Sequence, residues 1–500
     1  MWRLVGMALC ASGCVFDPSG VPTEHAFLTD LLDGPGEAAP DLDAADLPAV
    51  DLADAGPADR AGDLPPWALG QDDARLWVGL KGGVLELWRH DAAGGGWSAE
   101  TSNPVVTGDV YYARSELVPD ASQELGAVKV VNGSDTQLTL LRRTSTAGWA
   151  PDFTHTVSGT TNADKQDYDL ARERASGDLL LVYADGTKTP LFRTFSGGSW
   201  SAPVSVPIND GATDLTGGTV LWVRLVPRAM SNVVTLLYAD ESADLGALLW
   251  DGSQWDVASA RLLETDLKVN PNSGVVGNRC FDGAWETSSG DLLVAWGIDG
   301  GNQVRYAVRS AGGSWSGAST ISVYAGKTEY VELAADPQAG SDRVAAAFVD
   351  LGNGTERLGL GVWDGAGWVG LKEYDNAIHD VNDKGTGDLP AALAWVGTTG
   401  TAVCVYADTG SNISWRSWSA GSSDWVGQSD AVVSSMGTME SAILRPLATR
   451  DEVLLVLSDD KSQLYVATGD GSSWTVAPGG PRTKALARTD AVPFSLAVQP

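Results

Sequence analysis

Eight tryptophans, Trp97, Trp149, Trp200, Trp255, Trp315, Trp368, Trp425 and Trp474, each close a similar unit, and the units follow one another at roughly 50 to 60 residues. Before each tryptophan stand two short apolar runs joined by a polar turn, as in residues 178–185 and 191–195. Equivalent first runs occur at 233–240, 292–299, 344–350, 402–408 and 453–459. Another run precedes the pair, for example 219–224 or 388–395, and a short fourth follows the tryptophan, as at 200–206. Runs of this length rich in Val, Leu, Thr and Tyr and bounded by Gly, Asp and Ser read as strands. Four strands repeated eight times predict an all-β chain, an eight-bladed β-propeller of four-stranded blades over residues 67–500. A seven-bladed ring is the alternative, because the unit ending at Trp149 matches the others least well.

The two ends of the repeat predict how the ring closes. The first unit begins directly with a second strand at 74–80, whereas residues 490–500 carry the pattern of an innermost strand such as 329–337. The chain end is therefore expected to complete blade one, which removes the free edges that invite sheet-to-sheet aggregation.

Charge and cysteine content narrow the partners. With 64 acidic against 33 basic residues and a net charge of -31, the chain repels phosphate backbones, so nucleic acid is excluded as a partner. Cys280 and Cys404 fall in blades five and seven, too far apart for a disulfide, and are expected to be buried free thiols. His25, His90, His155 and His379 show no metal-ligand spacing, so no zinc site is expected.

Residues 1–14 resemble a bacterial lipoprotein signal: Arg3, an apolar run from Leu4 to Leu9, then Ala11, Ser12, Gly13 and Cys14, with Cys10 inside the segment. The resemblance implies cleavage before Cys14 and acylation of Cys14, hence a membrane partner through an N-terminal lipid anchor. Ala11 stands where Leu is usual, and a secreted chain without lipid is the alternative. Val15 after the cysteine favours the outer membrane by analogy with lipoprotein sorting. The run is too short to span a bilayer. Residues 15–66 are dominated by Asp, Ala, Pro, Gly and Leu, with Arg60 their only basic residue. They read as a disordered acidic tether, at most roughly 170 Å long when stretched.

Three hairpins read Asp-Gly-x-x-Trp: 251–255, 364–368 and 470–474. Asp-Gly tolerates the positive φ of a tight turn, and Trp packs between blades. These hairpins resemble the Asp-box of sialidase-like propellers, with Asp four residues before Trp rather than five. In that family the box is a structural staple on the face away from the active site, so the resemblance implies fold and not activity. The family's arginine motif and Tyr/Glu nucleophile pair have no counterpart, and no catalytic residue is carried over.

Two sets of acidic residues are expected on one rim. Asp109, Asp167, Glu329, Asp388, Glu440 and Asp490 start innermost strands, with Thr219 and Asn278 in the remaining blades; Asp185, Asp240, Asp299, Asp350, Asp408 and Asp459 end second strands. Neighbouring antiparallel strands could bring Asp167 to Asp185 and Asp388 to Asp408. Such pairs bind a hard cation such as Ca2+, act as acid and base, or accept hydrogen bonds from their own turns, the usual role of Asp there. No cofactor is required by any pattern. Five residues further along stand Arg114, Arg172, Arg224 and Arg445, about 17 Å below the rim, where inward-facing guanidinia could clamp a carboxylate or phosphate. Salt bridges to Asp169 or Glu173 are the plainer role. The loops 264–278 and 372–387, the second carrying Asp375, His379, Asp380 and Asp383, overhang the acidic rim.

The leading expectation is a non-catalytic envelope lipoprotein whose propeller binds a glycan, a cation or another envelope protein. A glycan-processing hydrolase or lyase using rim carboxylates, and a passive structural module, are the alternatives.

Overall fold

The strands form eight antiparallel sheets, seven of four strands and one, blade three, of five because its outer strand is split, and in every blade but the first the strands follow one another in the chain. The computed structural model describes residues 72–499 except 118–122, 145–147, 160–161, 209–214, 272, 352–355, 379–388, 398, 410–412, 429–431, 434–435, 448, 477–485 and 489–490. The proposed signal with Cys14 and the tether lie outside the described residues, as do Asp388, Asp490, His379, Asp380 and Asp383.

In blade one the innermost strand is Phe494–Val498, which pairs antiparallel with Ala74–Leu80, so the last residues of the chain complete the first sheet as the sequence pattern predicts. The other innermost strands are Asp109–Leu117, Tyr168–Arg172, Val220–Pro227, Phe281–Trp285, Tyr330–Ala335, Ala391–Val396 and Met439–Pro446. Each packs on the innermost strand of the next blade, and Phe494–Val498 lies between Met439–Pro446 and Asp109–Leu117, which closes the ring. The seven-bladed alternative is thereby excluded. The weakly matching unit ending at Trp149 is a full blade with the longest strands, its outermost spanning Gly148–Ser158. In blade three the outermost strand is split into Ser199–Trp200 and Val204–Ser205, both against Leu191–Ser196.

Second strands such as Val234–Asp240, Val344–Asp350 and Val453–Asp459 are buried at every position, because both faces of a central strand are covered by neighbouring blades. The eight repeat tryptophans lie at or beside the start of the outermost strands and pack within the sheet stack. Trp255 meets Trp250 edge-on at 5.5 Å, and Trp368 meets Trp363 at 5.7 Å with the same 69° inclination. Each Asp-Gly box is closed by its own carboxylate. Asp251 Oδ1 accepts from the amides of Ser253 and Gln254, Asp364 Oδ1 from Ala366 and Gly367, and Asp470 Oδ1 from Ser472 and Ser473, all at 2.8 to 3.0 Å. The glycine that follows has φ of +100°, +93° and +83° in the three boxes, which is why Gly stands there.

A second staple was not read from the sequence. The indole N–H of Trp77, Trp250, Trp296 and Trp363 donates to a glutamate of the adjacent blade, Glu124, Glu173, Glu264 and Glu286, at 2.7 to 2.9 Å. Glu173 and Glu286 also accept from Ser176 and Ser289 three residues on, so the same turn recurs after two innermost strands. Burial pushes the carboxyls of Glu124, Glu173 and Glu286 up, partly offset by these bonds and, at Glu124, by Arg75.

Candidate functional site

Among the described residues the acidic rim does not gather its carboxylates. Tyr168 pairs with Tyr183, so Asp167 faces Ala184 across the ladder, and its carbonyl accepts from the Ala184 amide at 2.8 Å. Asp185 is thus one residue out of register, and the pairing of the two carboxylates is replaced by separate partners. Asp185 Oδ1 accepts from the amide and hydroxyl of Thr187 at 3.0 and 2.6 Å. Asp167 takes the buried ammonium of Lys129 at 2.9 Å, and burial pushes its carboxyl up against that pull.

The other described rim carboxylates are also engaged. Asp240 accepts from Gly218, Ser242 and Asp244 amides, and Asp459 from Gly437, Lys461 and Gln463, all at 2.8 to 3.0 Å. Asp408 bonds Thr409 and Ser414, and Asp109 the Gly82 amide at 3.3 Å. Glu329 pairs with Lys268 at 2.9 Å and Asp299 with Lys327 at 3.0 Å. Asp350 is buried against Gly326, where a Cβ would lie 1.5 Å from its carboxylate. Glu440 sits in a bulge between Met439 and Ser441. Among the described residues no three His, Cys, Asp or Glu side chains converge on a position fit for a metal ion. Cys280 and Cys404 are buried free thiols.

Where the innermost strands end, at the other mouth of the channel, a cavity of about 480 Å³ opens among blades one, two, three, four, six and eight. Arg114, Arg224 and Arg445 line it together, with Arg174 beside them. Three strands place these arginines by the same device. Asp109–Leu117, Val220–Pro227 and Met439–Pro446 each carry a bulge near their start, between Val110 and Tyr112, Val220 and Trp222, and Met439 and Ser441. One extra residue reverses the facing of all that follow. Tyr168–Arg172 has no bulge, so Arg172 does not join the cluster. It is buried, donating to the Leu117 carbonyl at 3.0 Å, while Ala171 lines the cavity in its place.

The cavity belongs to a belt of charge around the channel. Asp169 lies 3.3 Å from Arg114 and 3.9 Å from Arg224, as expected for the plainer role; Glu173 instead serves the Trp250 staple. Arg224 also pairs with Asp282 at 2.9 Å, and Asp282 with Arg279 at 2.9 Å. Burial opposes the charge of Asp282, but Arg224 and Arg279 hold its carboxyl below the usual range. Arg279 reaches the Tyr330 hydroxyl, which bonds Glu332. Arg445 is different: burial, with the charges of Arg224 and Arg114, pushes its guanidinium down to about 10. Asp282, Arg174, Arg279 and Glu332 were missed in the sequence because their positions depend on strand facing, and the bulges that set facing leave no residue signature of their own.

No protein-family model matches the chain, and no curated protein matches its sequence. It is similar to several solved structures. One is a lectin from Burkholderia pseudomallei, 13% identical over 75% of this chain and 98% of that one, with a TM-score of 0.48. Another is AofleA from Arthrobotrys oligospora, 13% identical over 80% and 95%, with a TM-score of 0.36. A mutant Aleuria aurantia lectin in complex with Fucalpha1-6GlcNAc is 12% identical over 64% and 96%, with a TM-score of 0.34. The Burkholderia pseudomallei and Aleuria aurantia proteins are lectins, not sialidases.

Proposed function

We propose that this chain is a cell-envelope lipoprotein whose propeller is a binding module, and that its ligand, a glycan end or a molecule of similar size, enters the cavity lined by Arg114, Arg174, Arg224 and Arg445. The observation that carries the reading is that cavity of about 480 Å³, framed by innermost strands from several blades. Small-molecule sites are concave, of roughly 300 to 1,000 Å³, and held on rigid elements. The recess suits a chain end or a small molecule better than a flat protein surface. Its walls mix arginine and serine donors with Leu170, Leu225, Val226 and prolines, a polar and apolar lining of the kind that holds a hydroxylated ring. The described rim carboxylates, bonded to their own turns and to lysines, give the hydrolase reading no geometric support among the described residues.

The envelope address rests on residues 1–14, and the acidic tether would hold the propeller clear of the membrane surface. Palmitate incorporation that disappears in Cys14→Ser supports the anchor; unchanged incorporation refutes it. For the module, an array of neutral and acidic glycans probed with the wild type and with Pro337→Trp is decisive. Pro337 is exposed at the cavity mouth, so the larger side chain obstructs access without replacing a buried group. Binding that Pro337→Trp abolishes supports the reading, and binding it leaves intact refutes it.

A further inference from the structure

Arg445 is a half-buried arginine on the cavity wall that has no ion-pair partner among the described residues. Its guanidinium donates to the Leu444 carbonyl at 2.8 Å and, among the described residues, has no carboxylate within ion-pair distance. Arg114 and Arg224, by contrast, are tied to Asp169 and Asp282. Arg174, at the exposed edge of the same cavity, also lacks a carboxylate partner among the described residues. A half-buried guanidinium beside Arg114 and Arg224 repels them unless an anion joins it. Glu116 and Glu332 lie near enough to soften the charge on Arg445 without bonding it. Four guanidinia, Arg114, Arg174, Arg224 and Arg445, against two carboxylates, Glu116 and Asp169, line one recess, which makes it a local positive site in a chain of net charge -31.

We propose that this cavity takes an oxyanion, a single carboxylate or phosphate group carried on an otherwise uncharged body, and that Arg445 is the residue that reads it. The inference rests on the cavity being the binding site. A planar guanidinium binds either group through two parallel N–H donors. The wider acidic surface repels a polyanion over about a Debye length, roughly 8 Å at physiological salt, but a lone anionic group on a neutral body passes it at small cost. Behind Arg445 the hydroxyls of Ser115 and Ser495, 3.1 Å apart, and the apolar wall of Leu225 and Val226 would receive the uncharged part.

The test is calorimetric titration of the full chain with glucuronate, glucose 6-phosphate and glucose, using the wild type, Arg445→Met, Arg445→Lys and Arg261→Met. Arg261 is exposed on an outermost strand of blade four and serves as the control. The expected result is that a charged probe binds at least about tenfold more tightly than glucose. Arg445→Met should weaken it by about tenfold or more, Arg445→Lys by less, and Arg261→Met not at all, with no variant's thermal midpoint below that of the wild type. Which charged probe binds identifies carboxylate or phosphate as the source. If glucose binds as tightly as the charged probes and Pro337→Trp blocks it, the inference fails while the cavity reading stands. Charged-probe binding that survives Pro337→Trp overturns both. No binding of either charged probe at millimolar concentration overturns the inference.

Discussion

Removing residues 491–500 should open the ring. The last strand is held to Ala74–Val78 by five register pairs, with flanking bonds from Gly79 N to the Pro493 carbonyl, from Gln499 N to the Asp73 carbonyl at 2.9 Å and from Asp72 N to the Gln499 carbonyl at 3.0 Å. Phe494 and Leu496 are 0% and 2% exposed. Burying two such side chains contributes about 3 to 6 kcal/mol, and the ladder bonds, at about 1 kcal/mol each net, a similar amount. The sum is on the order of 5 to 10 kcal/mol, comparable with the whole stability of an ordinary domain. Urea unfolding followed by tryptophan fluorescence should therefore show the truncated chain losing its single cooperative transition, and a peptide of residues 488–500 should restore it in trans. Phe494→Ala gives a graded check, with a loss of about 3 to 5 kcal/mol at constant slope. A truncated chain with the wild-type midpoint would refute the reasoning, because it would mean that the blades are stable without the clasp.

Burial raises the Glu286 carboxyl above its ordinary value, so its folded state holds a proton that the unfolded chain has already lost. The cost of that buried charge is absent below about pH 4.5 and grows as pH rises through the raised value. Glu286→Gln should accordingly gain stability relative to wild type between pH 4.5 and 7, measured by urea midpoints; a pH-independent difference contradicts this. Glu173→Ala leaves the buried Trp250 indole N–H without its acceptor and should cost about 1 to 3 kcal/mol in the same assay, whereas no loss would mean the staple is ornamental. Gly297→Ala would press a Cβ to 2.0 Å from the Thr328 carbonyl, a backbone group that cannot swing aside, and should lower stability by about 1 to 3 kcal/mol. Burial pushes the Cys280 thiol up to about 12 and Cys404 higher still, so both should resist a thiol reagent in the native state and react once denatured; rapid native labelling would refute the burial.

The architecture was legible because its signals are periodic and local. The Asp-Gly boxes fix hairpins within five residues, and the absence of an opening strand before residue 74, matched by a surplus one after 490, fixes closure. Facing was not legible. Arg172 and Arg224 occupy the same sequence offset, yet one is buried between blades and the other lines the cavity, because a bulge precedes only the second. Asp167 and Asp185 show the same effect on the rim, where a shift of one residue separates two carboxylates that spacing alone puts together. Lys129 and Lys268, which neutralise Asp167 and Glu329, come from the preceding blade and from the loop in front of the preceding blade, so their pairing depends on tertiary position and not on any local pattern.

The most direct test of the binding account is a crystal structure of the chain with whichever charged probe the titration selects. The account predicts the oxyanion within hydrogen-bond distance of the Arg445 guanidinium, in the recess shared with Arg114 and Arg224. Density for the probe on the acidic rim, beside Asp167 or Asp408, with the arginine cavity holding none of it, would contradict it.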